Sequence, residues 1–157
     1  MPGITQSFIA KLRPILCFIM ALLLGAALGS LLQSQLNLSA IAAISGPITS
    51  ADRLSTIQFD LRHFMPTLAA LMAMPLLMAI LLAGWLRRRQ PMLPRSLYFL
   101  LAAMGFYLTL LIINQLAPMP TLIAANRTLL GTLGLLAACG LAAWCFAWLA
   151  ERLRRNS

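Results

Sequence analysis

Charge is missing from the long apolar stretches of this sequence. Four runs, residues 14–36, 66–86, 96–116 and 128–149, contain no Asp, Glu, Lys, Arg or His. The whole chain has three acidic residues, one histidine and three cysteines. Each scarcity excludes a class of chemistry. Proton-coupled transporters and pumps place an ionisable side chain within the bundle, where its proton affinity can be tuned. None of the runs offers one. A single histidine does not supply the ligands of a haem-binding bundle. Cys17, Cys139 and Cys145 all fall inside apolar runs and form no CxxC, which argues against a disulfide framework or a thiol-exchange centre.

What is present is hydrocarbon. The chain is 61% hydrophobic and 10% charged, whereas a soluble domain carries roughly a quarter charged residues to solvate its surface. A bilayer core is crossed by about 20 helical residues at a rise of about 1.5 Å each. The four runs have that length. The sequence therefore predicts an all-α integral membrane protein, a single four-span domain over 1–157. Short connectors at 87–95 and 117–127 arrange the spans as two antiparallel hairpins. The first run follows a basic start and contains small residues, as a signal peptide does. It continues past Ser30 through Leu31, Leu32 and Leu36, which reads as an uncleaved first span.

The net charge of +9 is distributed by side. Lys11, Arg13, Arg87, Arg88, Arg89, Arg95, Arg152, Arg154 and Arg155 fall on one side, and Arg53, Arg62 and Arg127 on the other. The positive-inside rule makes the first side cytoplasmic and both termini internal. "RRRQPMLPR" then reads as a topological anchor, not as a lipid-recognition site. The bias and the small connectors suggest a bacterial inner membrane. No nucleic-acid partner is expected, because the basic residues mark topology.

The longest connector lies on the opposite side. Leu54, Ile57, Leu61 and Phe64 have helical spacing, and Thr49 with Asp52 resembles a capping box. A short amphipathic extracytoplasmic helix is predicted over about 49–64, between spans one and two. Its polar face carries Asp52, Arg53, Thr56, Asp60 and His63. Asp60 and His63, three residues apart, are the weak catalytic candidates, since a carboxylate there can orient an imidazole. Arg53, Arg62 and Arg127 are candidate anion or headgroup contacts.

Within the spans, Gly25 and Gly29 form GxxxG, read as a helix contact within the chain in preference to a dimer interface, and Gly131, Gly134 and Ala138 mark a second small-residue face for helix packing. Pro75 should kink span two. Met74 and Met78 form the MxxxM seen in copper-uptake channels. Here it stands on a different helix from GxxxG and has no methionine-rich tail, so the thioethers read as packing. No metal or cofactor is expected. Multidrug exporters need an embedded carboxylate, and four-span glutathione-transferase-like enzymes need an Arg/Asn/Glu-rich inner motif; neither is present.

Three functions are compatible with this pattern. The first is a non-catalytic tetraspan subunit or accessory protein that assembles with membrane partners, or with itself, through the small-residue faces. The second is a small homo-oligomeric transporter or channel, with Ser30, Gln33, Thr109, Asn114 and Thr132 available for a polar path. The third is a lipid- or quinone-binding enzyme with an outer Asp/His/Arg site.

Overall fold

The computed structural model describes residues 3–116 and 123–155, with side chains described for 12–116, 123 and 125–153. The described chain is helical: α1 (Gly3–Ser45), α2 (Ser50–Arg89), α3 (Ser96–Leu116), a short 3-10 turn (Ala124–Arg127) and α4 (Leu129–Arg155). All four α-helices are long and apolar enough to cross a membrane, making this a multi-pass membrane protein by length and composition. The turn expected at Ala117–Pro120 lies outside the described residues.

α3 matches the third predicted span from end to end. The first two helices are much longer than expected. α1 runs on to Ser45 and stops at Gly46, whose φ of +90° favours glycine. The Gly46 N–H donates to the Ala42 carbonyl, closing the last turn. Thr49 then caps α2, its hydroxyl oxygen accepting from the Asp52 N–H at 3.2 Å.

The expected short helix over 49–64 is not a separate element. It is the first part of α2, which continues through both Pro66 and Pro75. Proline at position 66 removes one helical hydrogen bond. Arg62 and Pro66 lie on an exposed face, however, so the freed Arg62 carbonyl is not trapped in packing. On the other face Leu68 belongs to the core and Phe64 packs against it, and together they hold the helix on course.

Packing follows the order of the chain: α1 lies against α2 and α4, and α3 against α2 and α4. Gly25 faces Met72 and Gly29 faces Leu68, so contacts climb one helix as they descend the other. The same reversed order relates Gly105 to Pro75 and Gly84 to Tyr98. Pro75 is buried, and its ring lies against Gly105. A Cβ built on Gly105 would meet the Pro75 Cβ at 3.4 Å. Glycine therefore gives the proline-bearing face of α2 a close seat on α3.

The core is a mixture of small and large residues. Ala21, Ala26, Ala102, Ala138 and Ala142 let backbones approach, while Leu68, Met72, Leu76, Phe106, Leu110 and Leu135 fill the middle. Large apolar side chains also point outward along every helix, including Ile19, Met20, Leu81, Leu108 and Leu133. Water does not solvate such a surface, whereas lipid chains do. Met72 is 1% exposed but Met74 and Met78 are 66% and 55% exposed, so the methionines face different surroundings and do not gather.

Candidate polar sites at the two ends of the bundle

Polar side chains gather at opposite ends of the helices. At the end holding the α1–α2 connection, α1 buries Ser30, Gln33 and Ser34. The Ser34 hydroxyl lies 2.6 Å from Asp60 Oδ2 on α2, to which it donates, and 3.0 Å from its own helix's Ser30 carbonyl. Ser30 Oγ and Gln33 Oε1 are buried without a hydrogen-bond partner. Such groups are rare in folded interiors, because each loses water and gains nothing in return.

Asp60 thus faces inward. It shares a face with Ile57, Leu61 and Phe64, all partly buried. The spacing already contained this: 57, 60, 61 and 64 form an i, i+3, i+4, i+7 set. Reading the carboxylate as solvent-facing obscured it. Ser34 is the partner that the sequence reading missed, and its i, i+4 relation to Ser30 was the available signal.

His63 faces away from this cluster. It is exposed, its ring stacks on Phe59 with centroids 4.2 Å apart, and Nδ1 lies 3.0 Å from the Phe59 carbonyl. The Asp60–His63 pairing expected from their spacing is not formed. Three residues turn a helix by about 300°, which leaves the two side chains flanking one stripe. Here, one is drawn to Ser34 and the other to an aromatic ring. Arg53 donates from Nη1 to Gln35 Oε1 on α1 at 3.3 Å, Arg62 is exposed, and Arg127 ends the 3-10 turn. No hydrogen bond or ion pair joins Asp60, His63, Arg53 or Arg62 to one another.

The other members of the supposed polar path are tied locally. Thr109 donates to the Gly105 carbonyl of its own helix at 3.1 Å. Asn126 donates from Nδ2 to Asn114 Oδ1, and Thr132 Oγ1 lies 3.0 Å from both Asn126 Oδ1 and the Thr128 carbonyl. These bonds fasten the 3-10 turn to α3 and α4.

The small-residue faces are occupied within the chain. A Cβ on Gly25 would lie 2.8 Å from Ala142 Cβ and 3.3 Å from the Ala138 carbonyl; one on Gly29 would lie 2.7 Å from Leu68 Cδ2. Gly131 faces the Ala125 carbonyl and Leu36, and Gly134 faces Leu32. Gly140, not singled out from the sequence, sits against the Phe99 ring, which a Cβ would meet at 2.7 Å.

At the arginine-rich end, Glu151 of α4 accepts from two guanidiniums. Arg87 Nη1 of α2 lies 2.6 Å from Oε1, while Arg95 Nε and Nη2 lie 2.8 and 2.7 Å from Oε2. One carboxylate thereby joins α4 to the end of α2 and to the connector before α3. Arg87 also lies over the buried Tyr98 ring, 5.8 Å from its centroid. Arg89 stacks over Trp85 and Arg152 over Trp148, at 5.6 and 4.9 Å. A cavity of about 650 Å³ opens beside the ion pairs, between α2, α3 and α4. The sequence reading treated these arginines as topology alone. The clue to the cluster was Glu151, the one acid among the basic residues of this side.

Among the described residues no group of three or more His, Cys, Asp or Glu side chains is placed to hold a metal ion. No family model, curated protein or solved structure matches the chain.

Proposed function

We propose that the chain is a small, non-catalytic multi-pass membrane subunit or accessory protein, arranged as two antiparallel hairpins, that assembles with a partner membrane protein. The observation that carries this reading is the projection of α1 and α2. Pro75 lies opposite Gly105, so the start of α2 extends roughly 20 Å beyond the level of Leu116 at 1.5 Å per residue. Ile41, Ile44, Leu54 and Phe59 are exposed on this projecting pair, at 51%, 89%, 58% and 60%. Apolar side chains at that height suit a protein contact. Gly25 and Gly29 pack inside the chain, in keeping with the intramolecular contact preferred for GxxxG, and Gly131 and Gly134 pack there too, so the projecting pair is the contact proposed for the partner.

In this reading both termini are cytoplasmic and the projection is outside, which the positive-inside bias supports, and the bias with the small connectors suits a bacterial inner membrane. A reporter fused after Ser157 and active only in the cytoplasm tests that orientation. For assembly, the tagged full-length protein is extracted from its native membrane in mild detergent. A stoichiometric membrane polypeptide should co-purify, and Phe59→Glu should release it. Recovery of a lone monomer overturns the reading.

A small homo-oligomeric transporter or channel is the second reading. It is favoured by one observation, the unpartnered Ser30 and Gln33 oxygens inside the bundle. A self-assembled oligomer with solute flux abolished by Ser30→Ala would select it. The enzyme reading has no comparable support, since Asp60 and His63 diverge.

A further inference from the structure

We propose that the cavity at the arginine-rich end binds a phosphate-ester anion, with Arg88 as its donor. The cavity is lined toward the bundle centre by Gly84, Phe146 and Ala147, and toward the helix ends by Arg87 and Arg88, with Tyr98 on α3. Its lining therefore combines apolar side chains nearer the bundle centre with cationic ones nearer the helix ends. Glu151 also lines it, but both of its oxygens already accept from Arg87 and Arg95. The remaining charge favours an anion.

One donor is left over. Arg87 is held by Glu151 through Nη1, and its Nε is shielded from solvent. A guanidinium presents its N–H groups as a planar fork that matches phosphate oxygens. Arg88 makes no hydrogen bond or ion pair with any other described residue and lines the same space. The sequence reading of "RRRQPMLPR" as an anchor explains the charge of this connector but not the cavity beside it.

The depth of the site points to a lipid as the source of the phosphate. Trp85, Trp144 and Trp148, all three tryptophans of the chain, lie toward this end of α2 and α4. Tryptophan concentrates at headgroup level in membranes. A glycerophospholipid entering there sets its phosphate at the arginines and its apolar portion toward Gly84 and Phe146. Gly84 leaves room for it: a Cβ added there would meet only the Tyr98 hydroxyl, at 3.7 Å.

The test is native mass spectrometry of the full-length protein in detergent, titrated with phosphatidylglycerol, phosphatidylcholine or glycerol 3-phosphate. One phosphatidylglycerol should bind at least about fivefold more tightly than phosphatidylcholine, and Arg88→Gln should weaken it by about fivefold. Arg89→Gln removes the same charge from a side chain stacked on Trp85, and should change binding by less than about twofold. Gly84→Val keeps every charge, fills the apolar part and should also weaken the lipid. Competition by millimolar glycerol 3-phosphate would assign the site to a soluble phosphate ester; its absence assigns the lipid. Equal losses in Arg88→Gln and Arg89→Gln, or no preference over phosphatidylcholine, would overturn the proposal.

Discussion

Asp60 on α2 and Glu151 on α4 are carboxylates at opposite ends of one bundle, and they are held by different physics. Asp60 is met by a neutral hydroxyl from a helix face that is otherwise buried. Glu151 is met by two guanidinium side chains that remain 26% and 38% exposed. The first contact is short and depends on α1 and α2 lying close together. The second is mainly coulombic and weakens as salt screens it. Close backbone approach governs one end, and long-reach charge governs the other.

That difference sets an order of sensitivity. The largest effect is expected from Gly29→Val, one turn below the Ser34–Asp60 contact. Its side chain collides with Leu68, and overpacking of this kind costs about 1–3 kcal/mol. Thermal unfolding in detergent should show the loss, and the Ser34–Asp60 coupling should weaken with it. A fully stable Gly29→Val protein would mean that α1 and α2 are not in tight contact.

Ser34→Ala should cost about 1.5 kcal/mol, as for a hydrogen bond to a charged group. A double-mutant cycle with Asp60→Ala isolates the pair, and a coupling near zero would remove it as a clamp. His63→Ala, in the same assay, should fall within about 0.5 kcal/mol of the parent, as exposed substitutions do. The smallest effect among the charged groups belongs to Glu151→Gln, at about 1 kcal/mol or less. Its signature is a dependence on ionic strength: the parent should lose stability as salt rises, and the variant should be flatter. Equal salt responses of the Asp60 and Glu151 variants would collapse the contrast between the ends.

Much of the fold was legible in the residues. Span three was read to its ends, because Arg95 precedes it and the apolar run stops at Asn114 and Gln115. The length of α2 was not legible. Pro66 carries a helix-breaking signal, and the helix survives it because Phe64 and Leu68 pack on the core while Pro66 faces outward. Asp60 was singled out by its residue type, but its partner is Ser34, 26 positions away, and no local spacing reports a contact of that range. The Glu151 cluster was overlooked because positive-inside reasoning accounts for arginines without asking what lies between them.

What the sequence determined by itself is the set of helices long and apolar enough to cross a bilayer. Run length and composition decide it, since the hydrocarbon core demands about 20 residues without exposed charge or backbone. What tertiary structure alone decided is the direction that each polar side chain faces. In helices that are apolar nearly all round, hydropathy does not separate a core face from a lipid face. The choice is made by where small residues admit a neighbouring backbone. Gly25 and Gly29 admit α2 and α4, and that approach turns Ser34 and Asp60 toward each other and leaves His63 outside.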